Sequence, residues 1–447
     1  MDIGTRVEPF VDTWLLEQRT GVELRVHPPE RREVVLTTNR PWEGPDSAYY
    51  SVFRDGDRVR LYYRGYCPAD LSDMQVTCYA ESRDGVRFTR PNLGQFEFGG
   101  STANNIVFRG RASHNLAPFR DSNPAAAPDA RYKALGGVDG KLYAFASPDG
   151  LRWRPLRAEP VLTRGAFDSL NVAFWDATAR LYRCYSRYWA AGNYAGYRAI
   201  QSCTSTDFIH WSEPLPNSYD GGPPDEHYYT SATRPCPGAE HILLAFPMRF
   251  VPERTRLQGY REPGVSDAML LTSRDGSAWT RPSRSAWLTP GRDPRNWTQR
   301  SNMPACGIIE TGADEWSLYA SEHYGWPDNR LRRLRARKLG LCSLRAGAAG
   351  GEAVTRVLRF GGPVPLLNLA TSAAGSIALE VQDPDGQALP GYALADCVPL
   401  FGDDLDRPVR WREHADLAAL IGRPVRLRFV LRDADLFAMR FAAAARP

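Results

Sequence analysis

The sequence predicts an all-β protein made of similar antiparallel units, and three observations support this prediction. A turn with the pattern S-x-D-G-x-x-[FW] occurs at residues 82–88, 147–153 and 273–279, and a degenerate copy, STDFIHW, occupies 205–211. Strand-like segments precede each copy, as in SAYYSVFRDGDRVRLYYRGY and SLNVAFWDATARLYRCYSRY. After residue 350 alternating strands continue without the turn. Together these features predict a series of four-stranded units followed by a different β domain.

The recurring turn has the chemistry of a tight hairpin. Its Asp-Gly pair suits a turn in which glycine adopts a positive φ, and the serine and aspartate side chains can bond nearby backbone amides. An aromatic residue follows three positions after the glycine, and a proline follows soon after in each copy. We therefore interpret the turn as the last hairpin of each unit, with a structural rather than a chemical role.

Four-stranded units in series are typical of a β-propeller. The units span 46–91, 114–155, 168–214, 227–282 and 302–345, and the last lacks the aspartate turn. Because terminal repeats are often atypical, we expect the N-terminal segment 8–40 to supply a strand that closes the ring. The prediction is a five-bladed β-propeller over residues 1–350, with six blades as the alternative, and a C-terminal β-sandwich over 355–447.

Composition favours a folded, soluble chain. Of 447 residues 43% are hydrophobic, and the net charge of +5 comes from arginine, since the lysines are Lys133, Lys141 and Lys338 alone. No long basic run occurs, which disfavours nucleic-acid binding. Charges interrupt the N-terminal segment, so we expect neither a signal peptide nor a membrane anchor. The eight cysteines are scattered singly, as free thiols are in a reducing compartment, and this predicts a cytoplasmic location.

A five-bladed propeller followed by a β-sandwich resembles the fructosidase and arabinanase group of glycoside hydrolases, families 32, 43 and 68. The aspartate turns are similar to the aspartate boxes of sialidases, although one residue shorter. The stretches PWEGPDSAYYSVFRDGDRVRLYYRG, FDSLNVAFWD and RPVRLRFVLRDADLF also resemble uncharacterised bacterial proteins labelled glycosyl hydrolase. This resemblance covers nearly the whole chain, and it indicates an architecture more specifically than a substrate.

The resemblance implies three carboxylates: a nucleophile or base in the first blade, an aspartate of an R-D-P motif in the second and an acid glutamate in the third. The nearest second-blade match, at 119–121, aligns with Asp55 and Asp176 in the turn after the innermost strand. We therefore interpret Asp121 as a turn residue. A second R-D-P, at 292–294, lies in a Gly/Pro-rich loop. The W-x-N-D-P and E-C motifs are absent, which disfavours cleavage of fructans or sucrose.

Polar side chains stand at the start of the first strand of every unit and at the end of the second strand, which returns to the same rim. One such residue is ordinary, whereas five sets at one rim indicate a pocket, and several arginines there favour a ligand with a carboxylate or phosphate. The strand starts carry Glu43, Asp46, His114, Asn115, Asp168, Asn171, Asp225, Glu226, His227, Arg300 and Asn302, and the strand ends carry Arg64, Tyr66, Arg187, Arg249, Glu322 and His323.

Glycoside cleavage requires one carboxyl group that protonates the leaving oxygen and another that acts as nucleophile or base. Blade position assigns Glu226 as the general acid, Asp168 as the partner carboxylate or stabiliser, and Glu43 or Asp46 as base or nucleophile. The remaining rim residues except Tyr66 and Asp225, together with Tyr229, are predicted to bind substrate. The spacing of the histidines matches no zinc motif, so neither a metal nor a cofactor is predicted.

Three functions remain open at this point. The leading hypothesis is a glycoside hydrolase acting on a small or charged glycoside. The alternatives are a carbohydrate-binding propeller without catalysis, which the missing motifs favour, and a lyase or transglycosylase that uses histidine, tyrosine and arginine in the same pocket. In each case the predicted partner is a small carbohydrate, anionic if the arginines bind it, with no nucleic acid and no membrane. The sequence does not specify the sugar, the stereochemistry or the oligomeric state.

Overall fold

The protein is described by a computed structural model over residues 1–66, 75–222 and 225–443. Over these residues the chain is built of strands, and its helical elements are short 3-10 turns at Arg111–His114, Pro128–Ala130, Pro294–Asn296 and Ala418–Leu420. The prediction of an all-β protein is confirmed. Within the same residues no helix is long and apolar enough to cross a membrane.

The chain divides into two compact units. The larger unit comprises residues 29–236 and 240–336, and the smaller comprises 1–28, 237–239 and the residues from 337 onward. This division differs from the predicted boundary at 350–355. The reason is strand pairing, because Glu23–Val26 pairs with Cys342–Ala346 and Leu16–Thr20 pairs with Gly351–Thr355. All the candidate site residues lie in the larger unit.

Three sheets of the larger unit are antiparallel four-stranded meanders, in which each strand pairs with the next along the chain. Their first strands are rich in buried aromatic and aliphatic residues, as a strand covered on both faces requires. Sheet A comprises Ala48–Asp55, Arg58–Gly65, Val76–Ser82 and Ile106–Arg109; sheet B comprises Ala117–Arg120, Tyr132–Gly136, Tyr143–Ser147 and Arg154–Pro155; sheet C comprises Val172–Asp176, Leu181–Trp189, Arg198–Ser205 and Leu215–Pro216.

The fourth and fifth groups depart from this pattern. Group D consists of two three-stranded sheets, one of His227–Tyr228, Met248–Val251 and Val265–Ala268, the other of Arg234–Cys236, Ala239–Ala245 and Leu271–Ser273. Ser218–Tyr219 pairs in parallel with Ala278–Trp279. Sheet E comprises Ile309–Glu310, Glu315–Glu322, Arg330–Arg337 and, as its edge, Glu30–Thr37. The last strand comes from within the N-terminal segment 8–40.

Neighbouring sheets meet through their first strands. Ala48–Asp55 of sheet A contacts Ala117–Arg120 of sheet B, which in turn contacts Val172–Asp176 of sheet C. On its other side sheet A meets the segment before sheet E, where Val52 N–H donates to the Cys306 carbonyl at 2.9 Å and Cys306 N–H donates to the Tyr50 carbonyl at 2.8 Å. The buried core between sheets A and E includes Tyr50, Tyr63 and Tyr319.

The four aspartate turns have the geometry that their sequences predict. In the first, Gly85 N–H donates to Ser82 Oγ at 2.9 Å, and Val86 and Arg87 N–H each donate to Asp84 Oδ1 at 2.8 Å. The degenerate copy keeps the same bonds with Phe208 in the glycine position, at a φ of 69°. Because this φ is strained for a side chain with a Cβ, the hydrogen bonds and ring packing of Phe208 hold the turn.

The smaller unit is one branched sheet dominated by two long strands, Val364–Gln382 and Arg426–Ala442, which pair along most of their length. Register shifts between Asn368 and Leu369 and between Thr371 and Ser376 bend this pair. The other strands are Glu8–Pro9, Leu16–Thr20, Glu23–Val26, Cys342–Ala346, Gly351–Thr355 and Asp403–Pro408, with the parallel pair Asp2–Gly4 and Arg359–Phe360 beside them. Its core is rich in leucine and phenylalanine.

Candidate functional site

Side chains from every sheet group of the larger unit converge at the rim where the first strands begin. Tyr49 Oη lies 3.3 Å from Tyr229 Oη, and both Arg64 and Arg300 donate to the Tyr324 hydroxyl, at 3.4 and 2.8 Å. We call the whole set the central cluster; it comprises Tyr49, Arg64, His114, Asp168, Arg187, Arg198, Tyr229, Arg300 and Tyr324.

Two residues of the central cluster have unusual backbone conformations. Tyr49 and Arg300 have φ angles of 58° and 61°, a region that residues with a Cβ seldom occupy. Tyr49 is the second residue of its strand, and the register of sheet A shifts between Ala48 and Ser51. Strained backbone of this kind is concentrated at functional sites, where packing holds a side chain in a required direction.

The two tyrosines at the centre differ in acidity. Burial raises the pKa of Tyr49, and the neighbouring Tyr229 raises it further. Burial alone also raises the pKa of Tyr229, but Arg300 and Arg187 lower it by more, to about 8. The guanidinium carbons of Arg187 and Arg300 lie 4.9 and 5.7 Å from the centre of the Tyr229 ring. A hydroxyl flanked by two cations is stabilised as the phenolate, which accounts for this direction.

The arginines of the central cluster are short of anionic partners. Arg187 pairs with the Asp168 carboxylate, whereas no carboxylate of the described residues lies within ion-pair distance of Arg64, Arg198 or Arg300. Arg198 packs over Trp189 at 4.3 Å and over Tyr229 at 5.4 Å. In all four side chains the Nε–H group is buried and has no hydrogen-bond acceptor within the described chain.

Asp168 is the carboxylate of the central cluster. Its side chain is 43% exposed, and Arg187 donates to Oδ1. Its backbone is positioned by two buried amides, since Asn115 Nδ2 donates to the Ser169 carbonyl at 2.7 Å and also to the Phe167 carbonyl, and Asn171 Nδ2 donates to both carbonyls as well. The predicted site residues Asn115 and Asn171 thus hold the loop that carries Asp168.

His114 joins the central cluster to an adjoining cavity. Arg64 lies 3.4 Å from its Nδ1, and Gln75 Oε1 lies 2.7 Å from the same nitrogen. Burial, together with the Arg64 charge, lowers the pKa of His114 to about 3, so the ring is neutral at ordinary pH. The cavity has a volume of about 810 Å³ and is lined by Gln75, Arg109, Gly110, Arg111, His114, Val138 and Asp139.

Glu226, His227 and Arg249 form a second group beside the cluster. Arg249 binds Asp267 through two nitrogens, at 2.9 and 2.6 Å, and donates to Glu226 Oε2 at 3.2 Å. Glu226 Oε1 accepts from the Tyr228 hydroxyl at 3.0 Å, and the Glu226 side chain is 27% exposed. His227 Nδ1 accepts from the Arg198 backbone N–H at 3.1 Å, and burial and Arg198 lower the pKa of the His227 ring.

Glu43 and Asp46 are both held in buried ion pairs. Glu43 accepts from the Tyr63 hydroxyl at 2.5 Å and from Arg90 at 2.6 Å, and its side chain has no exposed surface. Arg261 donates to both oxygens of Asp46, and Arg64 donates to the Asp46 backbone carbonyl at 2.8 Å. Asp46 therefore adjoins the central cluster through its backbone, while neither carboxylate has an oxygen left without a partner.

Apart from Arg300, the predicted residues of the fifth unit lie in networks outside the central cluster. Asn302 accepts from Arg31 at 3.2 Å and donates to backbone carbonyls. Glu322 accepts from Arg31, Arg330 and Arg332 at 2.9 to 3.2 Å. Although burial raises the pKa of Glu322, the arginines lower it by more. The ring nitrogens of His323 lie 2.9 Å from Asp328 and 2.7 Å from Asp293.

Four residues that the sequence interpretation missed contribute to the site: Tyr49, Gln75, Arg198 and Tyr324. Arg198 begins the third strand of sheet C, and Gln75 directly precedes the third strand of sheet A. In a meander the third strand starts at the rim where the second strand ends. The residues at the start of each third strand could therefore have been predicted to lie at the same rim. The tyrosines carried no such signal, because their directions depend on local backbone conformation.

Within the described residues no group of three or more His, Cys, Asp or Glu side chains is placed to hold a metal ion.

No family model matches the chain, and no curated protein is similar to it. Among solved structures the chain is similar to a protein titled glycoside hydrolase, with a TM-score of 0.49 and 11% identity over 69% of this chain and 92% of that one.

Two further structural neighbours are the catalytic domain of the GH62 α-L-arabinofuranosidase of Coprinopsis cinerea and the β-1,2-mannobiose phosphorylase of Listeria innocua. The arabinofuranosidase domain has a TM-score of 0.44 and 9% identity, and the match covers 69% of this chain and 97% of that one. The phosphorylase has a TM-score of 0.43 and 12% identity, and the match covers 70% of this chain and 98% of that one. The solved structures thus include glycoside hydrolases, the class that the sequence resembles. Similarities this low assign neither an activity nor a substrate to this chain.

Proposed function

We propose that this protein is a glycoside hydrolase that cleaves a small or charged glycoside at the central cluster. The observation that carries the proposal is the state of Asp168. Of the four predicted catalytic carboxylates, Asp168 alone has an oxygen without a hydrogen-bond partner among the described residues, and it is the most exposed of the four. A carboxylate that is free on one oxygen and anchored through the other is suited to attack on a sugar or to activation of water.

In this proposal Asp168 is the nucleophile or water-activating base, and its ion pair with Arg187 suits a group that works in the charged form. Glu226 is the general acid, which protonates the leaving oxygen from the edge of the site. Glu43 and Asp46 are assigned to structural ion pairs, because their side chains are 0% and 4% exposed and are held by arginines, whereas the Glu226 side chain is 27% exposed. Tyr229, His114 and the arginines contact the substrate.

The architecture proposed for this activity is a five-bladed propeller, in which sheets A to E are the blades, followed by a β-sandwich. The contacts between first strands support a ring, and so does the backbone pairing of Val52 with Cys306 between sheets A and E. The bends in the long strand pair of the smaller unit support a sandwich. We also propose a cytoplasmic location, which the seven free and buried cysteines of the described chain support.

A second candidate is a polysaccharide lyase, favoured by one observation. Tyr229 has a pKa lowered to about 8 and lies beside arginines, and its hydrogen-bond partner Tyr49 contacts the neutral ring of His114. A tyrosine of this kind can remove the proton next to a carboxylate that the arginines bind, after which the bond from the neighbouring carbon to the glycosidic oxygen breaks and the departing oxygen takes up a proton; no catalytic pair of carboxylates is needed. Its product contains a new carbon–carbon double bond, whereas hydrolysis adds water.

The test is turnover of the purified full chain on a panel of neutral and acidic nitrophenyl glycosides and oligosaccharides. Asp168→Asn and Glu226→Gln should each lower kcat by about 100-fold or more, as loss of a general acid or base does. Asp57→Asn, at an exposed turn, is the matched control and should keep full activity. Full activity in both site variants contradicts these assignments, and an ultraviolet-absorbing unsaturated product identifies the lyase.

A further inference from the structure

We propose that Arg64, Arg187, Arg198 and Arg300 form an oxyanion subsite, which binds a carboxylate or phosphate group of the ligand. This inference deepens the proposed function, because it names the chemistry of what the central cluster recognises. It rests on the proposed function only in the claim that the anion belongs to a sugar substrate. Binding of the anion itself is measurable without turnover.

The four arginines lie close together. Arg64 and Arg300 donate to the same Tyr324 hydroxyl, at 3.4 and 2.8 Å, so their two nitrogens are no more than about 6 Å apart. The guanidinium carbons of Arg187, Arg198 and Arg300 all lie within 5.7 Å of the centre of the Tyr229 ring. Four guanidinium groups are therefore collected around the pair Tyr49 and Tyr229.

The positive charge of the four arginines is only partly neutralised. Within the described chain Asp168 is the only carboxylate that pairs with any of these four arginines. Asp46, which lies next to Arg64, is neutralised by Arg261. Like charges held at such distances in a buried site repel one another, and proteins retain them where a ligand supplies the opposite charge.

The four arginines also have hydrogen-bond donors that are not used. Arg64 and Arg187 are 4% and 2% exposed, and the Nε–H of each is buried without an acceptor, as are those of Arg198 and Arg300. A planar guanidinium presents its Nε–H and one terminal N–H as a pair that matches two oxygens of one anion. A bound oxyanion would supply the acceptors that these groups lack.

Two ligand sources share this chemistry: a carboxylate carried by the sugar and inorganic phosphate bound beside it. The experiment therefore uses three probes with the full-length protein, namely inorganic phosphate, glucuronate and, as the neutral control, glucose. Binding is measured by calorimetry in a buffer without oxyanions, on the wild type, Arg198→Met and Arg300→Met. Arg58→Met is the matched control, because Arg58 lies on the strand of Arg64 at its other end and pairs with Glu81 on the surface.

We expect the wild type to bind at least one of the two anions, and each site variant to weaken that binding by at least about tenfold, the loss expected for one hydrogen bond to a charged group. Arg58→Met should bind as the wild type does. Binding of glucuronate alone identifies the sugar carboxylate as the source. Binding of phosphate alone, with cleavage of glycosides that depends on phosphate and yields a sugar phosphate, identifies phosphate.

Two results overturn the inference: neither anion binds the wild type more tightly than about 10 mM, or Arg198→Met and Arg300→Met bind as well as Arg58→Met does. Glycoside turnover in the same preparations separates this inference from the proposed function. Anion binding without turnover supports the subsite and contradicts the hydrolase, whereas turnover of neutral glycosides without anion binding supports the hydrolase and contradicts the subsite.

Discussion

Replacing Arg300 by methionine should leave the ligand-free protein at least as stable as the wild type, although arginine at this position is largely enclosed. The reason is that Arg300 lies among cations and pairs with no carboxylate of the described chain. Replacing Arg90 by methionine should have the opposite effect, because Arg90 neutralises Glu43, whose side chain has no exposed surface.

The magnitudes follow from the distances. Arg64 and Arg300 nitrogens no more than about 6 Å apart repel by about 3 kcal/mol at an effective dielectric constant of 20. The guanidinium carbons of Arg187 and Arg198 each lie at most about 11 Å from that of Arg300, because all three lie near the Tyr229 ring. Each of these two arginines adds roughly 1.5 kcal/mol to the repulsion on Arg300. Against this, the hydrogen bond to Tyr324 contributes about 1 kcal/mol and stacking on two rings roughly 2 kcal/mol, and the attraction of Asp168 offsets part of the repulsion.

The balance predicts a change in the free energy of unfolding between zero and about +2 kcal/mol for Arg300→Met. For Arg90→Met it predicts a loss of about 3 to 5 kcal/mol, the cost of leaving a buried charge unpaired. The assay is denaturant unfolding of both variants and the wild type in a buffer without phosphate or carboxylates. Equal and large losses in the two variants would refute the account of Arg300 as an uncompensated charge. Addition of the anion that binds the wild type should then stabilise the wild type more than Arg300→Met.

Three further predictions concern single residues. Oxyanion affinity should fall as the pH rises through about 8, because Tyr229 then loses its proton and adds a negative charge among the arginines; calorimetry across this range should show the fall, and Tyr229→Phe should abolish it. The ring of His114 should show no titration by NMR between about pH 5 and 8, since burial and Arg64 lower its pKa to about 3, and a midpoint inside this range would contradict that assignment. Asp84→Ala should lower the free energy of unfolding in urea by about 1 kcal/mol through loss of the turn hydrogen bonds, while anion binding stays unchanged.

Much of the fold was predictable because it repeats. Each aspartate turn is formed by hydrogen bonds within a few residues, so its position is predictable without knowledge of the rest of the chain. The four copies therefore predicted the positions of four turns. The unit boundaries were harder, because the pairing of Leu16–Thr20 with Gly351–Thr355 joins segments more than three hundred residues apart. Nothing in either segment alone indicates that partner.

The location of the candidate site at one rim of the sheets was predictable, whereas the roles of its individual residues were not. Strand position identified Asp168, Arg187 and Arg300, which the structure brings into one cluster. It also selected Glu43, whose pairing with Arg90 depends on a loop 47 residues away in the chain. Whether a carboxylate is free or neutralised is decided by such long-range partners, and composition at a strand start does not contain that information.

The edge strand Glu30–Thr37 has a consequence for biosynthesis. Its partner in sheet E, Arg330–Arg337, is synthesised about three hundred residues later. At the usual 5 to 20 residues per second the nascent chain waits roughly 15 to 60 seconds with this edge unpaired. Its sequence, ERREVVLT, opens with charged residues, which discourage premature pairing with other strands during that interval. Completion of sheet E by this edge strand is therefore a late event, and chaperones that bind exposed strands have a long opportunity to bind it.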